Sequence, residues 1–306
     1  LVILLLIVPI TGCVGQDDQA SEQEETVTGD TPTTIDDTVD PVPTILDVPN
    51  EAGCDNLNPH HCMLPFPSDA FLVEDASTDT GFRVNIPSGI IPASGSTDPV
   101  EIPRINQLDG MSTATQIMTT FDTVPDLASV AYQYNIERSL ELDHPTIIWN
   151  VDDNHAVAHW AELDARAQPG EQTILHLRTA AALEHDTRYI VVVRGLSDSM
   201  GNEIQPSQAL QALLDGEITD AEDVESRRSA YNGYIAVAED HMGVNKNEIQ
   251  ALWSFHTASL ESVLGPILSM RDDALSRIGD GLGCTVNPDG VEDNYNGDGM
   301  TYRRVR

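Results

Sequence analysis

"LRTAAALEHDTRYIVVVRGLSDSMGNEIQPS", Leu177 to Ser207, decides how the chain is read. Tyr189, Val191 and Val193 alternate with Ile190 and Val192, so a strand here presents an apolar side chain to each of its two faces. Gly195 and the Asp198–Gly201 turn follow, with glycine where a positive φ is needed, and Glu203-Ile204 returns as a second short strand. The same grammar extends N-terminally. "TQIMTTF", "ASVAYQYNI", "PTIIWNV", "AVAHWAEL" and "QTILHLR" are short, β-rich and bounded by Pro, Asp or Asn. Strands at such regular intervals, with turn chemistry between them, predict a mostly β protein built as a sandwich.

Helical periodicity appears only later. "SQALQALLDG" predicts a short helix stopped by Gly216. "DAEDVESRRSAYNGYIAVAEDHMG" places Val224, Tyr231, Tyr234 or Ile235, Ala238 and His241 on one face, with Asp220 as the expected N-cap and Gly243 closing the helix. "EIQALWSFHTAS" then reads as a strand carrying Trp253 and Phe255. A last helix, "SLESVLGPILSMRDDALSRIG", aligns Val263, Ile267, Met270, Ala274 and Ile278, with a kink or late start expected at Pro266.

The ends fix an address. "LVILLLIVPITGC" is apolar from Leu1 to Ile10, too short to span a bilayer, and it reads as the end of a secretory signal. Its last residues resemble the lipobox of bacterial lipoproteins, which implies lipidation of Cys13 and a membrane anchor at the cell envelope or extracellular surface. From Val14 to Gly53 there are eleven acidic residues and no basic ones, a composition expected of a disordered tether. Over the whole chain 50 acidic residues face 15 basic ones, a net charge of −35 that argues against nucleic-acid or anionic-lipid binding through a basic face. "MTYRRVR" at the other end alternates as a strand and reads as the start of a further domain.

Outside the cytosol disulfides persist. Cys54 and Cys62 are eight apart, unlike zinc-ligand spacings, and the adjacent His60 and His61 would point to opposite sides of extended backbone. A disulfide clip between tether and body is favoured over a metal site. Closing so short a loop contributes about 2.5 kcal/mol on a chain-entropy estimate. Cys284 is left over and is expected to pair elsewhere.

Candidate sites reduce to bland readings. "GLSDS", Gly195 to Ser199, departs from Gly-x-Ser-x-Gly at its last position and follows a strand with no helix after it, so Ser197 reads as a turn serine. No catalytic residue and no metal ligand is assigned. Asn294–Gly299, "NYNGDG", and Asp152-Asp153-Asn154 imitate parts of calcium loops but read first as turns, with calcium the only cofactor entertained. Trp149, Trp160 and Trp253 are expected in the core. Among the scattered histidines only His155 and His159 share ligand spacing, and they are expected as a surface pair.

The pattern Leu183, Thr187, Tyr189, Val191, Val193, Asp198 and Gly201 resembles bacterial Ig-like domains of cell-surface proteins. With "HHCMLPFPSDAF" before it and "WSFHTAS" after it, the stretch from Cys54 to Arg306 resembles the N-terminal region of secreted lipase-like lipoproteins of the virulence-factor type. That resemblance implies an Ig-like sandwich and a downstream α/β-hydrolase domain. The expected organisation is signal 1–13, tether 14–53, Cys-clipped β/loop region 54–115, Ig-like sandwich 116–258 with a helical insertion near 207–243, and a helix opening a downstream domain over 259–306. A lipoprotein adhesion or binding module without enzymatic activity is the alternative, and a calcium-stabilised structural lipoprotein a third.

Overall fold

The apolar run at Tyr189–Val193 is buried on both faces, and the rest of the fold follows from that. A computed structural model describes residues 45–48, 55–58, 61–88, 90, 102–167, 173–277, 291–293 and 303–305, all of them within the unit Pro43–Arg306. The expected signal, Cys13, Cys54, Cys284 and Asn294–Gly299 lie outside the described residues. The chain is mostly β, with antiparallel sheets and four helices among the described residues.

Strands β1 (Leu72–Glu74) and β2 (Phe82–Val84) form a hairpin, followed by the one-turn helix α1 (Ile102–Ile105). Then come β3 (Ile117–Thr120), β4 (Thr146–Asn150), β5 (His155–Ala156), β6 (His159–Leu163), β7 (Ile174–Thr179) and β8 (Arg188–Arg194). Helices α2 (Gln208–Asp215) and α3 (Glu222–Met242) precede β9 (Ile249–His256). Helix α4 (Leu260–Ser276) follows, and β10 (Val291–Asp293) pairs with β11 (Arg303–Val305).

Two larger sheets result, ordered β3-β7-β6 and β5-β4-β8-β9. An isolated antiparallel bridge from Phe66 to Met118 adds one residue on the free edge of β3. Ile148, Tyr189, Val191, Val193, Trp253 and Phe255 project from one face of the four-stranded sheet into a cluster with Ile117, Ala161, Leu175 and Leu177 of the three-stranded one. The opposite face, Ile147, Trp149, Ile190, Val192 and Leu252, packs on Leu210, Leu213, Val224, Tyr231 and Ile235 of α2 and α3. Both faces of β8 are therefore dry, which is why its sequence is continuously apolar. A register shift opposite Val193 and Arg194 puts Ile249 and Leu252 on the same side. There the Gln250 amide replaces the ladder, accepting from the Leu196 N–H and donating to the Leu196 and Ile204 carbonyls, each at 2.8 Å.

Tyr189 secures the start of β8. Its ring stacks on Phe255 with centroids 5.4 Å apart, and its Oη accepts the Glu184 N–H at 2.9 Å, five residues upstream. Replacing Tyr189 by Phe keeps the stack but strands that N–H. We expect urea unfolding to show a loss of about 0.5–1.5 kcal/mol, the usual net contribution of one hydrogen bond, since Glu184 itself is exposed.

Several expectations are corrected. Leu46 bridges Thr219 and Val48 joins the helix-side core, so the folded body begins before the boundary expected at Gly53. Phe71, Val84, Ile86, Ile102 and Met111 share the sandwich core, so 54–115 is not a region apart. Of "VEIPRI", Ile102–Ile105 forms α1 because Pro103 sits where a helix start tolerates it, and Tyr132–Asn135 turns instead of extending because the Asn135 Oδ1 accepts the Tyr132 N–H at 2.7 Å. "AVAHWAEL" splits into β5 and β6 of different sheets. Asp220 does not cap α3: Ala221 holds that position, and the Asp220 Oδ1 accepts from Val48 N at 3.0 Å. Helix α4 starts at Leu260, capped by Ser259, and contains Pro266. The closing glycines, Gly216 and Gly243, are left-handed as their positions require.

Candidate functional site

Strands β8 and β9 are buried on both faces, so any polar residue within them must find a partner. Arg188 and Ser254 stand on the helix-facing side at one end of the sheet, beyond the cover of α2, and meet one carboxylate, Asp69. Asp69 opens a 3-10 turn over Asp69–Phe71 whose N-cap, Ser68 Oγ, accepts the Ala70 N–H at 3.1 Å. The turn is fixed onto β9 because the Trp253 Nε1 donates to the Pro67 carbonyl at 2.9 Å. Arg188 Nη1 and Ser254 Oγ both donate to Asp69 Oδ2, while Asp69 Oδ1 is buried without a hydrogen-bond partner.

Around this knot lies a cleft of about 260 Å³. Phe82 of β2 floors it, with the Arg188 guanidinium 5.5 Å from its ring centroid. Tyr234 of α3, half-buried, places its Oη 3.5 Å from Arg188 Nη1 and packs edge-on against Tyr231 at 5.4 Å. Arg227, two turns before Tyr234, donates to Asp55 Oδ1 at 2.8 Å and to the Asp223 carboxylate at 3.4 Å. Burial opposes the charge on Arg227, but the Asp55 carboxylate outweighs it and raises the pKa, so the guanidinium stays protonated. Burial pushes the Tyr231 phenol well up, keeping it neutral.

Behind Phe82 lies buried His256. Its ring is 5.4 Å from the Phe82 centroid and its Nε2 is 3.0 Å from Asp186 Oδ1. The Nδ1 atom is buried and without a partner. Ser254 shares a face with His256, yet its hydroxyl is committed to a carboxylate already held by Arg188. A nucleophilic serine is usually paired with a histidine base, and the Ser254 hydroxyl is instead directed at Asp69.

The residues singled out in the sequence are elsewhere. Ser197 lies in the turn after β8, where its carbonyl accepts from Asp126 N at 2.7 Å and its backbone bridges Glu203. Cys62 is half-buried and disulfide-bonded. The His61 Nδ1 accepts the Met63 N–H at 3.2 Å, a local turn contact. Trp253 belongs to the core between the sheets and Trp149 to the helix-side core, while Trp160 is half-buried. Asp152, Asp153 and Asn154 form the β4–β5 turn, with Asn154 at φ 55° and Asp152 Oδ2 accepting from Arg188 N at 3.1 Å. The expected surface pair is corrected: His155 is exposed, whereas His159 is fully buried against His144, with centroids 5.7 Å apart. Among the described residues no group of three His, Cys, Asp or Glu is placed to hold a metal. No helix among them is long and apolar enough to cross a membrane.

Sequence reasoning missed Asp69, Arg188, Ser254 and Tyr234. The readable signal was polarity inside strands: Arg188 opening a buried run, and Ser254 between Trp253 and Phe255. No protein-family model matches the chain, and comparison with curated proteins finds no match.

Proposed function

We propose that this chain is the non-catalytic, Ig-like N-terminal part of a lipid-anchored surface lipase or esterase. The observation that carries the Ig-like reading is the order of the strands. With the Phe66 bridge as A and β3 to β9 as B, C, C′, D, E, F and G, the sheets read A-B-E-D and C′-C-F-G in unbroken chain order. The Tyr189 hydroxyl reaching back to Glu184 at the start of F is the corner that such sandwiches use. Helices α2 and α3 then occupy the F–G connection.

Attachment to a further domain draws support from α4. It leaves β9 tethered at its start, where Ser259 N donates to Asp109 Oδ1 at 3.0 Å, and it carries Ile267 and Met270 at 58% and 67% exposure. A helix so apolar and so uncovered is what a domain junction presents. Anchoring through Cys13 and the Cys54–Cys62 clip belong to the same proposal, as the lipobox-like ending and the acidic tether suggest.

The 306-residue chain is expected to show no turnover of short acyl esters, and hydrolysis abolished by Ser197→Ala would sink the non-catalytic reading. A Gly-x-Ser-x-Gly between strand and helix in the full reading frame supports the hydrolase. Without one, the cleft at Asp69 favours the second reading, an adhesion or binding module.

A further inference from the structure

The walls of the cleft between α3 and the β1–β2 hairpin restrict its guest. Each guanidinium there already has its counter-charge: Asp69 for Arg188, and Asp55 and Asp223 for Arg227. Glu74 on the rim adds another carboxylate. A phosphate or carboxylate would therefore meet no unmatched positive charge and would give up its hydration for little return. An organic cation fares no better, because the guanidinium of Arg188 already lies over the Phe82 ring.

What the cleft offers instead is a set of short-range donors and acceptors beside apolar faces. Only Nη1 of Arg188 appears in its described side-chain bonds, to Asp69 and Tyr234, so the rest of the planar fork of five donors faces no described partner. Tyr234 Oη donates and accepts, and the Glu74 carboxylate accepts. Groups that take both roles on neighbouring atoms, with a hydrocarbon face beside them, are the vicinal hydroxyls of a sugar ring. The half-buried Tyr234 and Leu72 supply surface for the C–H face. At 260 Å³ the space falls below the roughly 300–1,000 Å³ of pockets for drug-sized ligands, so it suits one ring and not a chain.

We propose that this cleft binds a single neutral hexose ring, free or at the end of a glycan. Vicinal hydroxyls accept from Arg188 and donate to Glu74, and Tyr234 packs on the ring. The inference rests on the module being non-catalytic, and its test separates the two.

Saturation-transfer NMR and calorimetry on the 306-residue protein with methyl gluco-, galacto- and mannopyranoside are expected to give a Kd near 1 mM for at least one glycoside, about −4 kcal/mol. Glu74→Gln, at an exposed position, should weaken it by about tenfold or more with little change in Tm, and Tyr234→Ala should weaken it at least as much, with the Tm of that variant measured beside it because its ring also packs on Tyr231. A trisaccharide ending in the preferred ring, binding as the glycoside does, would extend the same result to glycan ends. The proposal fails if no glycoside saturates by about 100 mM, a hundred times the expected Kd. It also fails if acetate, inorganic phosphate or tetramethylammonium displaces the sugar, or if Tyr234→Ala and Glu74→Gln bind as the parent does. Cleavage of the methyl glycoside, visible as new anomeric signals in the same spectra, would uphold the binding while removing the non-catalytic reading.

Discussion

Trp253→Ala should cost about 3–5 kcal/mol in urea unfolding, the range for truncating a large aromatic in a packed core. Trp253 is 1% exposed at the centre of β9, opposite Val191, and fills the space between the two sheets. A domain of this kind has only about 5–15 kcal/mol in total, so much of the margin would go. The half-buried Trp160 on β6 is the control, and its alanine variant should lose clearly less. Trp253→Phe distinguishes volume from hydrogen bonding. It keeps most of the packing but leaves the Pro67 carbonyl without the Nε1 donor, one residue before the Ser68–Asp69 turn. That variant should stay folded while loosening Asp69, so that glycoside affinity falls more than Tm does. Equal stabilities for the Trp253 and Trp160 alanine variants would show that the two sheets are not packed as described.

Acid should weaken the fold already between pH 7 and pH 5, through two buried histidines. His144 Nδ1 donates to the Thr146 carbonyl at 2.7 Å and its Nε2 accepts the Ala131 N–H at 2.8 Å, so the neutral ring is fully used. A second proton would set one N–H against another. His159 donates from Nδ1 to the Val157 carbonyl and faces the Thr146 hydroxyl with Nε2, both at 2.8 Å. Burial lowers the pKa of both rings, that of His159 to about 4, with Arg138, Glu141 and Asp143 the charged groups around His144. The sign follows from the folded value lying below the unfolded one of 6.5. Stability from His159 is complete above pH 6.5 and is lost as pH falls toward 4. Integrated from pH 7 to pH 5, that is about 2 kcal/mol. Asp75 and Glu225, both held down to about 2 chiefly by hydrogen bonds, lose their share only at lower pH than this interval. Urea unfolding of the parent and of His159→Gln at pH 7 and pH 5 checks this. An equally steep loss in the variant would assign the acid sensitivity to other groups.

The β strands were legible because alternation and continuous apolarity report directly on burial, and the ends of α2 and α3 were legible because glycine is selected where φ turns positive. Local competition misled the reading at Tyr132–Asn135, where a side-chain cap outbids extension, and at Asp220, whose carboxylate turned to Val48. Histidine spacing misled it too, since residues four apart share a face only if the strand is unbroken, and here it divides between sheets.

From the sequence alone came the β-rich class, the acidic N-terminal stretch, the two helices between β8 and β9 and the lack of a serine elbow, because each is a property of short segments. Only the tertiary structure decided that α2 and α3 cover the second face of β8, that His159 meets His144, and that Asp69, Arg188, Ser254 and Tyr234 converge. Those residues come from four separate elements, and Asp69 and Ser254 are 185 positions apart. No local pattern joins them; packing does, since a polar group buried in a dry sheet must be met by whichever distant partner the fold delivers.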